Sequence, residues 1–326
     1  MLYRKGDAHL KLVSIPSKAR LARASLMASS NTCCGGSSLV RVLGDRCVRD
    51  PQGTLTLDYQ ATIVFGVRAL SGSEPSACNL RVKMDGGFSH FDALVDGAHQ
   101  STVCTGGGLA TYTFALPGVA TYRGLSGNRG GETFHTVSLV KRTEAALAQL
   151  LPPLQVCPPR IQTHAAVLHS LTTSPGYEIC ALPNIARRKI EFVGDSDTAA
   201  FGCEGAATIM GLRSMLGMRL AHQNISNSWS YALCRMLDAE PSVVAWSGIG
   251  VAQNASYCDP PGRGAMAAVF GRAIASDPTS EHRFGSWEPD LGVVQVGGND
   301  LYGGKSAPSP EAFTQVRELT EAVEEC

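Results

Sequence analysis

KIEFVGDSDTAAFGCEG, residues 189–205, is the stretch that decides the fold. Ile190, Phe192 and Val193 form a short apolar run that stops at Gly194-Asp195-Ser196. A short apolar run bounded by turn residues reads as a strand buried on both faces, the habit of parallel sheets. Two later runs repeat the pattern. Val243, Val244, Ala245 and Trp246 stop at Ser247-Gly248, and Leu291, Val293, Val294 and Val296 stop at Gly297-Gly298-Asn299-Asp300. Between them, Trp229, Ala232, Leu233, Met236 and Leu237 fall at helical spacing behind Ser228, a residue type that caps helices. The tail from Pro308 to Glu325 also reads as helix. Alternating strands and helices predict an open parallel sheet with helices on both faces. Ligands of such sheets bind beyond the carboxyl ends of the strands.

Working back toward the start of the chain, the period changes from the helical one to two. Leu55, Leu57 and Tyr59 alternate with polar residues, and Ile63, Phe65 and Val67 continue the alternation. Phe91, Ala93 and Val95 lead into Asp96-Gly97, a hairpin turn pair. Tyr112, Phe114 and Leu116 follow, then Val137 and Leu139. Short alternating strands between glycine-rich turns, such as Gly106 to Gly108 and Gly124 to Gly131, predict a β-sandwich. Pro152, Pro153, Pro158 and Pro159 mark the crossing between the halves, and residues 160–185 give no clear period. The division read from these patterns is a disordered leader over 1–39, a sandwich domain over 40–150, a connection over 151–186 and an α/β domain over 187–326.

Composition narrows the function classes. The 326 residues, at about 150 per domain, suit two domains. Lys plus Arg number 28 and Asp plus Glu 28, so the formal net charge is zero, and no long run of one sign exists. A nucleic-acid partner is therefore not expected, because that footprint needs clustered Lys and Arg. No stretch reaches the roughly 18 apolar residues of a membrane helix. The 11 cysteines form no CxxC pair or Cys/His cluster of zinc spacing, so a structural zinc site is not expected. Basic residues interrupt every apolar run in the first 30 residues, so no secretory signal is legible there. The sequons at Asn224 and Asn254 permit secretion without demonstrating it.

The chemistry gathers at the three strand ends. A nucleophilic serine needs an exposed place on a tight turn, with donors for the developing oxyanion. Ser196 has the turn, and its own amide is one donor. Gly248 offers a second backbone N–H and Asn299 a side-chain N–H. Each of these short motifs alone is most often an ordinary turn; their joint occurrence, in order and each behind a buried strand, points to a catalytic constellation. Trp287 is a candidate sugar-stacking residue. Trp246 reads as core, Asp195 and Asp300 as turn or capping residues, and Arg142 with Glu144 as a solvated edge or a contact pair between domains.

KIEFVGDSDTAAFGCEG (189–205), SWSYALCRMLDAEPSVVAWSGIGV (228–251) and SWEPDLGVVQVGGNDL (286–301) resemble the first three conserved blocks of SGNH (GDSL-type) hydrolases, and are most similar to carbohydrate esterase family 2, the two-domain acetyl-xylan esterases. VRVLGD (40–45), FDALVDG (91–97) and HTVSLVKRTEA (135–145) resemble that family's N-terminal jelly roll. The resemblance implies a jelly-roll sandwich followed by a three-layer α/β/α domain. It implies Ser196 as nucleophile, with the Ser196 amide, Gly248 and Asn299 as the oxyanion hole. It implies secretion and O-deacetylation of acetylated polysaccharide or oligosaccharide, without metal or cofactor. The third block reads Gly-Gly-Asn-Asp where the family has Gly-Thr-Asn-Asp. The family's last block, Asp-x-x-His, which carries the general base, has no counterpart after Asn299. The α/β domain is therefore expected to be incomplete at its C-terminus, with the base histidine absent from this chain. The alternative expectation is a non-catalytic carbohydrate-binding protein or pseudoenzyme.

Overall fold

The computed structural model describes residues 11–14, 39–70, 78–117, 119, 134–145, 165–182, 187–205, 222–255, 263–285, 287–302 and 306–312. The strands, in chain order, are β1 (Lys11–Ser14), β2 (Arg41–Val42), β3 (Val48–Arg49), β4 (Leu55–Leu57), β5 (Thr62–Ala69), β6 (Asn79–Asp85), β7 (His90–Val95), β8 (Ala98–Cys104), β9 (Leu109–Ala115), β10 (His135–Lys141), β11 (Ala166–Thr173), β12 (Tyr177–Cys180), β13 (Arg188–Gly194), β14 (Ala239–Ala245) and β15 (Leu291–Gln295). Two α-helices lie wholly among the described residues, α1 (Trp229–Leu237) and α2 (Met266–Phe270). Strands far outnumber helices among the described residues, and none of those helices is long and apolar enough to cross a membrane.

Two antiparallel sheets enclose one apolar core. One runs β12-β5-β10-β7-β8, with β2 also on β5; the other runs β3-β4-β11-β6-β9. Register sets alternate residues of neighbouring strands in rows. Phe65, Val137 and Val95 form one row, and Ile63, Leu139 and Ala93 the next. Leu80, Val82 and Met84 face them from the second sheet, and all nine are essentially buried. Asp96 and Gly97 take positive φ values of 50° and 82°, the conformation a two-residue hairpin requires. Residues 166–173 and 177–180, placed by the sequence in a connection, are strands of these sheets. Their alternation is interrupted, because the register of β11 shifts between Leu168 and Ser170. A bulge of that kind hides a strand from period-two reading.

The third sheet has the order β1-β15-β13-β14, with β13 parallel to both β14 and β15. Register pairs Phe192 with Val243 and Val293, and Val193 with Val244 and Val294. Successive side chains point to opposite faces of a strand, so each row serves a separate core. The Val193 row packs under Met266, Val269 and Phe270 of α2, together with Tyr59. The Phe192 row packs under Ile225, Ala199 and Cys234 of α1. Ser228 caps α1 by accepting from the Tyr231 amide at 3.1 Å. The buried stripe of α1 matches the expected one in part. Leu233 packs against the core and Trp229 meets Phe192 edge-on at 5.3 Å. Ser230 and Cys234 are the buried positions, while Met236 is 82% exposed and Leu237 is partly exposed. The helix ends at Leu237 and β14 begins at Ala239. Tyr231 meanwhile reaches back to Thr62 of β5 at 2.7 Å.

The segment expected as a disordered leader contributes β1, which pairs antiparallel with the β15 edge from Lys11↔Val294 to Ser14↔Leu291. The rest of that leader, the Gly124–Gly131 loop, the proline-rich crossing and the tail from residue 313 lie outside the described residues. The described residues of the tail, 306–312, hold no α-helix. Asn224 and Asn254 are buried, at 6% and 4% exposure. Their side-chain amides donate to Glu204 and to the Gly264 carbonyl. Neither sequon presents a free surface asparagine in the folded state.

Candidate active site

The three strand ends come together because their register is in step: Gly194 lies opposite both Ala245 and Gln295. Neighbouring strands are about 4.8 Å apart, so the residues that follow them enter one small space. Ser196 stands on the turn after β13, where Ala199 N–H donates to Asp195 O at 2.9 Å and Phe201 N–H to Ser196 O at 3.0 Å. Gly194 is needed for that turn. A Cβ there would lie 2.1 Å from Thr198 Oγ1 and 2.8 Å from the Gln295 carbonyl. Ser196 is partly exposed on this turn.

Gly248 turns the chain after β14 with a φ of +73°, a conformation that favours glycine. Among the described residues, neither the Ser196 N–H nor the Gly248 N–H has an acceptor, and no group hydrogen-bonds to the Ser196 hydroxyl. Asn299 is brought to the same place but is engaged there. Its Nδ2 donates to the Ile249 carbonyl at 2.9 Å and to Asp195 Oδ2 at 3.3 Å. Asp300 is fully buried and accepts from the Val251, Ala252 and Gln253 amides at 2.8, 2.7 and 3.0 Å. It pins the loop after Gly248 to the turn after β15. Asp195 accepts from the Asp197 amide at 3.1 Å, a local turn bond. Both aspartates therefore shape turns.

Trp287 does not join this group. It is 9% exposed and lies with Lys189 Nζ 5.6 Å from its ring centroid, beside the Asp290–Lys189 backbone bond. That is the amino end of β13, opposite to the end that carries Ser196. The loop residue packs behind the strand start, so the structure does not bring it together with Ser196, Gly248 and Asn299. Trp246 is core, with Arg263 stacked 4.5 Å from its ring.

The described histidines also lie elsewhere. His282 is 9% exposed, packs edge-on to Phe284, and burial pulls its pKa down to about 3. His135 meets Asp96, His99 meets Thr102, and His90 meets Cys104. His222 sits against Gly205.

The contribution that sequence reasoning undervalued comes from residues 141–144, Lys-Arg-Thr-Glu at the end of β10. Far from a solvated edge, all four are buried. Lys141 Nζ donates to the carbonyls of Asp58, Thr143 and Glu144. Arg142 donates to Asp92, to the Gln223 carbonyl and to Glu204 on the loop after Ser196. Glu144 accepts from both the N–H and the hydroxyl of Ser247. Parity carried the missed clue: Val137, Leu139 and Lys141 share one face of the strand, so a cation falls on an inward position. Gln60 adds a bond from the same half to the Ala199 carbonyl, at 2.6 Å.

No family model matches the chain. Over 126 residues, 38% of the chain, it is 32% identical to the cellulase/esterase CelE of Acetivibrio thermocellus, and the match spans 14% of that protein's length. A family two carbohydrate esterase from Clostridium thermocellum, solved in complex with cellohexaose, aligns at a TM-score of 0.65 and 21% identity, over 88% of this chain and 74% of that one. A family two carbohydrate esterase from Cellvibrio japonicus aligns at 0.63 and 17% identity, over 96% and 76%. The fold is that of these esterases, and the relationship to carbohydrate esterase family 2 read from the three sequence blocks is supported.

Proposed function

We propose that the chain is a serine esterase that removes O-acetyl groups from carbohydrate, built as a jelly-roll domain followed by a three-layer hydrolase domain. Its boundary falls after the last sandwich strand. The observation that carries this reading is the step-for-step register that sends Ser196, Gly248 and Asn299 out of adjacent strand ends. Ser196 Oγ would attack the acetyl carbonyl carbon, passing its proton to solvent water or hydroxide, since no described side chain stands beside the hydroxyl as a base. The tetrahedral oxyanion would be met by the two acceptor-free amides, Ser196 and Gly248. Asn299 becomes the third donor by giving up its long bond to Asp195. One such donor is typically worth about 3–4 kcal/mol in the transition state. Collapse expels the sugar hydroxyl with the proton and leaves acetyl-Ser196; water then releases acetate and restores the serine.

The test measures release of p-nitrophenol from p-nitrophenyl acetate and of acetate from acetylated xylan, with the Ser196→Ala variant beside the native chain. Hydrolysis that Ser196→Ala removes supports the reading; equal rates in both proteins defeat it. A second reading, carbohydrate binding without turnover, is favoured by one observation: no histidine among the described residues reaches the Ser196 hydroxyl. Calorimetric binding of cellohexaose or acetylated xylo-oligosaccharide with no acetate release would select it.

A further inference from the structure

Ser247 is the residue through which the sandwich half touches the candidate oxyanion hole, and it is held at every polar atom. Its N–H and its hydroxyl both donate to the Glu144 carboxylate, the hydroxyl at 2.8 Å. Its carbonyl accepts from Arg263 Nη2 at 2.7 Å. A peptide unit is planar, with C=O and N–H pointing in opposite directions. The Ser247 carbonyl and the Gly248 N–H belong to one such unit. Fixing the carbonyl on Arg263 therefore aims the Gly248 N–H the other way, and fixing the preceding amide on Glu144 stops the unit from rotating.

Resting on the esterase reading, we propose that Glu144 is a positioning residue: its carboxylate, delivered from the end of β10, locks Ser247 so that the Gly248 N–H faces the oxyanion, and loss of the carboxylate charge releases that lock. The geometry around the carboxylate supports a charge-dependent hold. Gln223 Nε2 donates to it at 3.0 Å, which with Ser247 makes three donors and no acceptor. A protonated carboxyl brings a hydrogen of its own into this shell, so either the Ser247 hydroxyl turns from donor to acceptor or one of those bonds is given up. In both cases the hydrogen bond from the Ser247 amide loses its charge assistance. The charged groups that face Glu144 are Arg263, from the segment before α2, and Lys141 of β10. The segment of Gln223 and the end of β14 present neutral donors. Burial, against the pull of those bonds and cations, pushes the carboxyl up to about 7. The hold is therefore complete on the alkaline side and weakens as pH falls through neutrality.

The experiment follows the Ser247 and Gly248 amides by NMR in the full chain, from roughly pH 5 to pH 9, across the range where one proton changes the charge of Glu144. Both amides are expected to shift together with one midpoint near neutrality, and Glu144→Gln is expected to abolish that titration. A Ser247 amide that does not move, or that titrates equally in Glu144→Gln, overturns the proposal. If Glu144→Gln does not fold, the native titration decides alone. On p-nitrophenyl acetate, Glu144→Gln is expected to lower kcat about tenfold with KM within about twofold, as misaiming one donor predicts. Native kcat and an unaltered pH profile in that variant also overturn the proposal. A native chain no faster than Ser196→Ala defeats the esterase reading instead, and the amide titration then decides the Glu144 lock by itself.

Discussion

The two halves of the molecule solve the problem of burial in opposite ways. The antiparallel half closes two sheets on a single apolar core, where Leu57, Phe65, Val82 and Leu139 meet. The parallel half splits its core into two, one on each face of β13, and buried charges from both halves gather beside it. Arg46 and Glu191 pair at 2.9 Å with side chains 3% exposed, and Asp300 is fully enclosed. A buried ion pair is weak evidence for stability, because desolvation offsets most of the attraction. What these groups provide is direction. Glu144 and Asp300 fix where backbone turns point at the carboxyl ends of the strands, while the apolar core between the antiparallel sheets has only to be filled.

Four experiments would break or sharpen that contrast. The largest expected effect is on chemistry: Ser196→Ala should cut ester hydrolysis about a thousandfold or more while leaving the melting transition nearly in place. A variant as active as the native chain would end the claim that the strand ends are built for reaction. Next comes Phe65→Ala, which opens a void in the apolar half and should cost about 3–5 kcal/mol of unfolding free energy. Its KM, measured well below the melting point, should be unchanged; a raised KM would show that the two halves are not separable in this way.

Asp300→Ala strands three backbone donors and should cost about 2–3 kcal/mol. Unlike Phe65→Ala, it should also lower kcat through the Gly248 loop. Denaturant melts paired with kinetics separate the two outcomes. The mildest effect is a pH slope. Glu144 is pushed up to about 7 by burial, so the folded chain keeps a proton that the unfolded chain loses. That contribution is fully present below the ordinary carboxylate range and is lost as pH rises through 7. Lys141, pulled down to about 8 by burial, acts oppositely: its contribution is present above the ordinary lysine range and lost as pH falls through 8. Stability from this pair is thus lowest between them. Glu144→Gln should flatten the decline in melting temperature from about pH 5 to pH 7, and an unchanged decline would assign the slope to other groups.

Much of this arrangement was legible in the residues, for reasons that differ from place to place. The three parallel strands were readable because apolar runs ending in Gly and Ser, Asn or Asp leave little alternative. The hairpin at Asp96-Gly97 was readable because few pairs tolerate two positive φ values in succession. β11 escaped because a bulge breaks its alternation, and β1 because four residues carry no period. The face of α1 was legible only in part, at Trp229 and Leu233, because periodicity locates an apolar stripe but not the small Ser230 and Cys234 that sit buried beside it. For Trp287, position in the chain beside a strand does not say which end of that strand the residue will reach. For Arg142 and Glu144 the solvated edge and the contact pair between domains stayed open because charges at a strand end are most often solvated, and Lys141 was not singled out; only the pleat's parity argues for burial.

The division of labour along residues 141–144 has a consequence for synthesis. Every described strand of the two antiparallel sheets comes from residues 41–180, ahead of Arg188 where the parallel strands start. On a ribosome the chain emerges in that order, and N-terminal units fold first. The antiparallel half can therefore stand complete, with Gln60, Arg142 and Glu144 already presented, while β13, β14 and β15 are still being made. The turns bearing Ser196 and Gly248 would then close against a finished mould, which makes the first half an intramolecular template for the second.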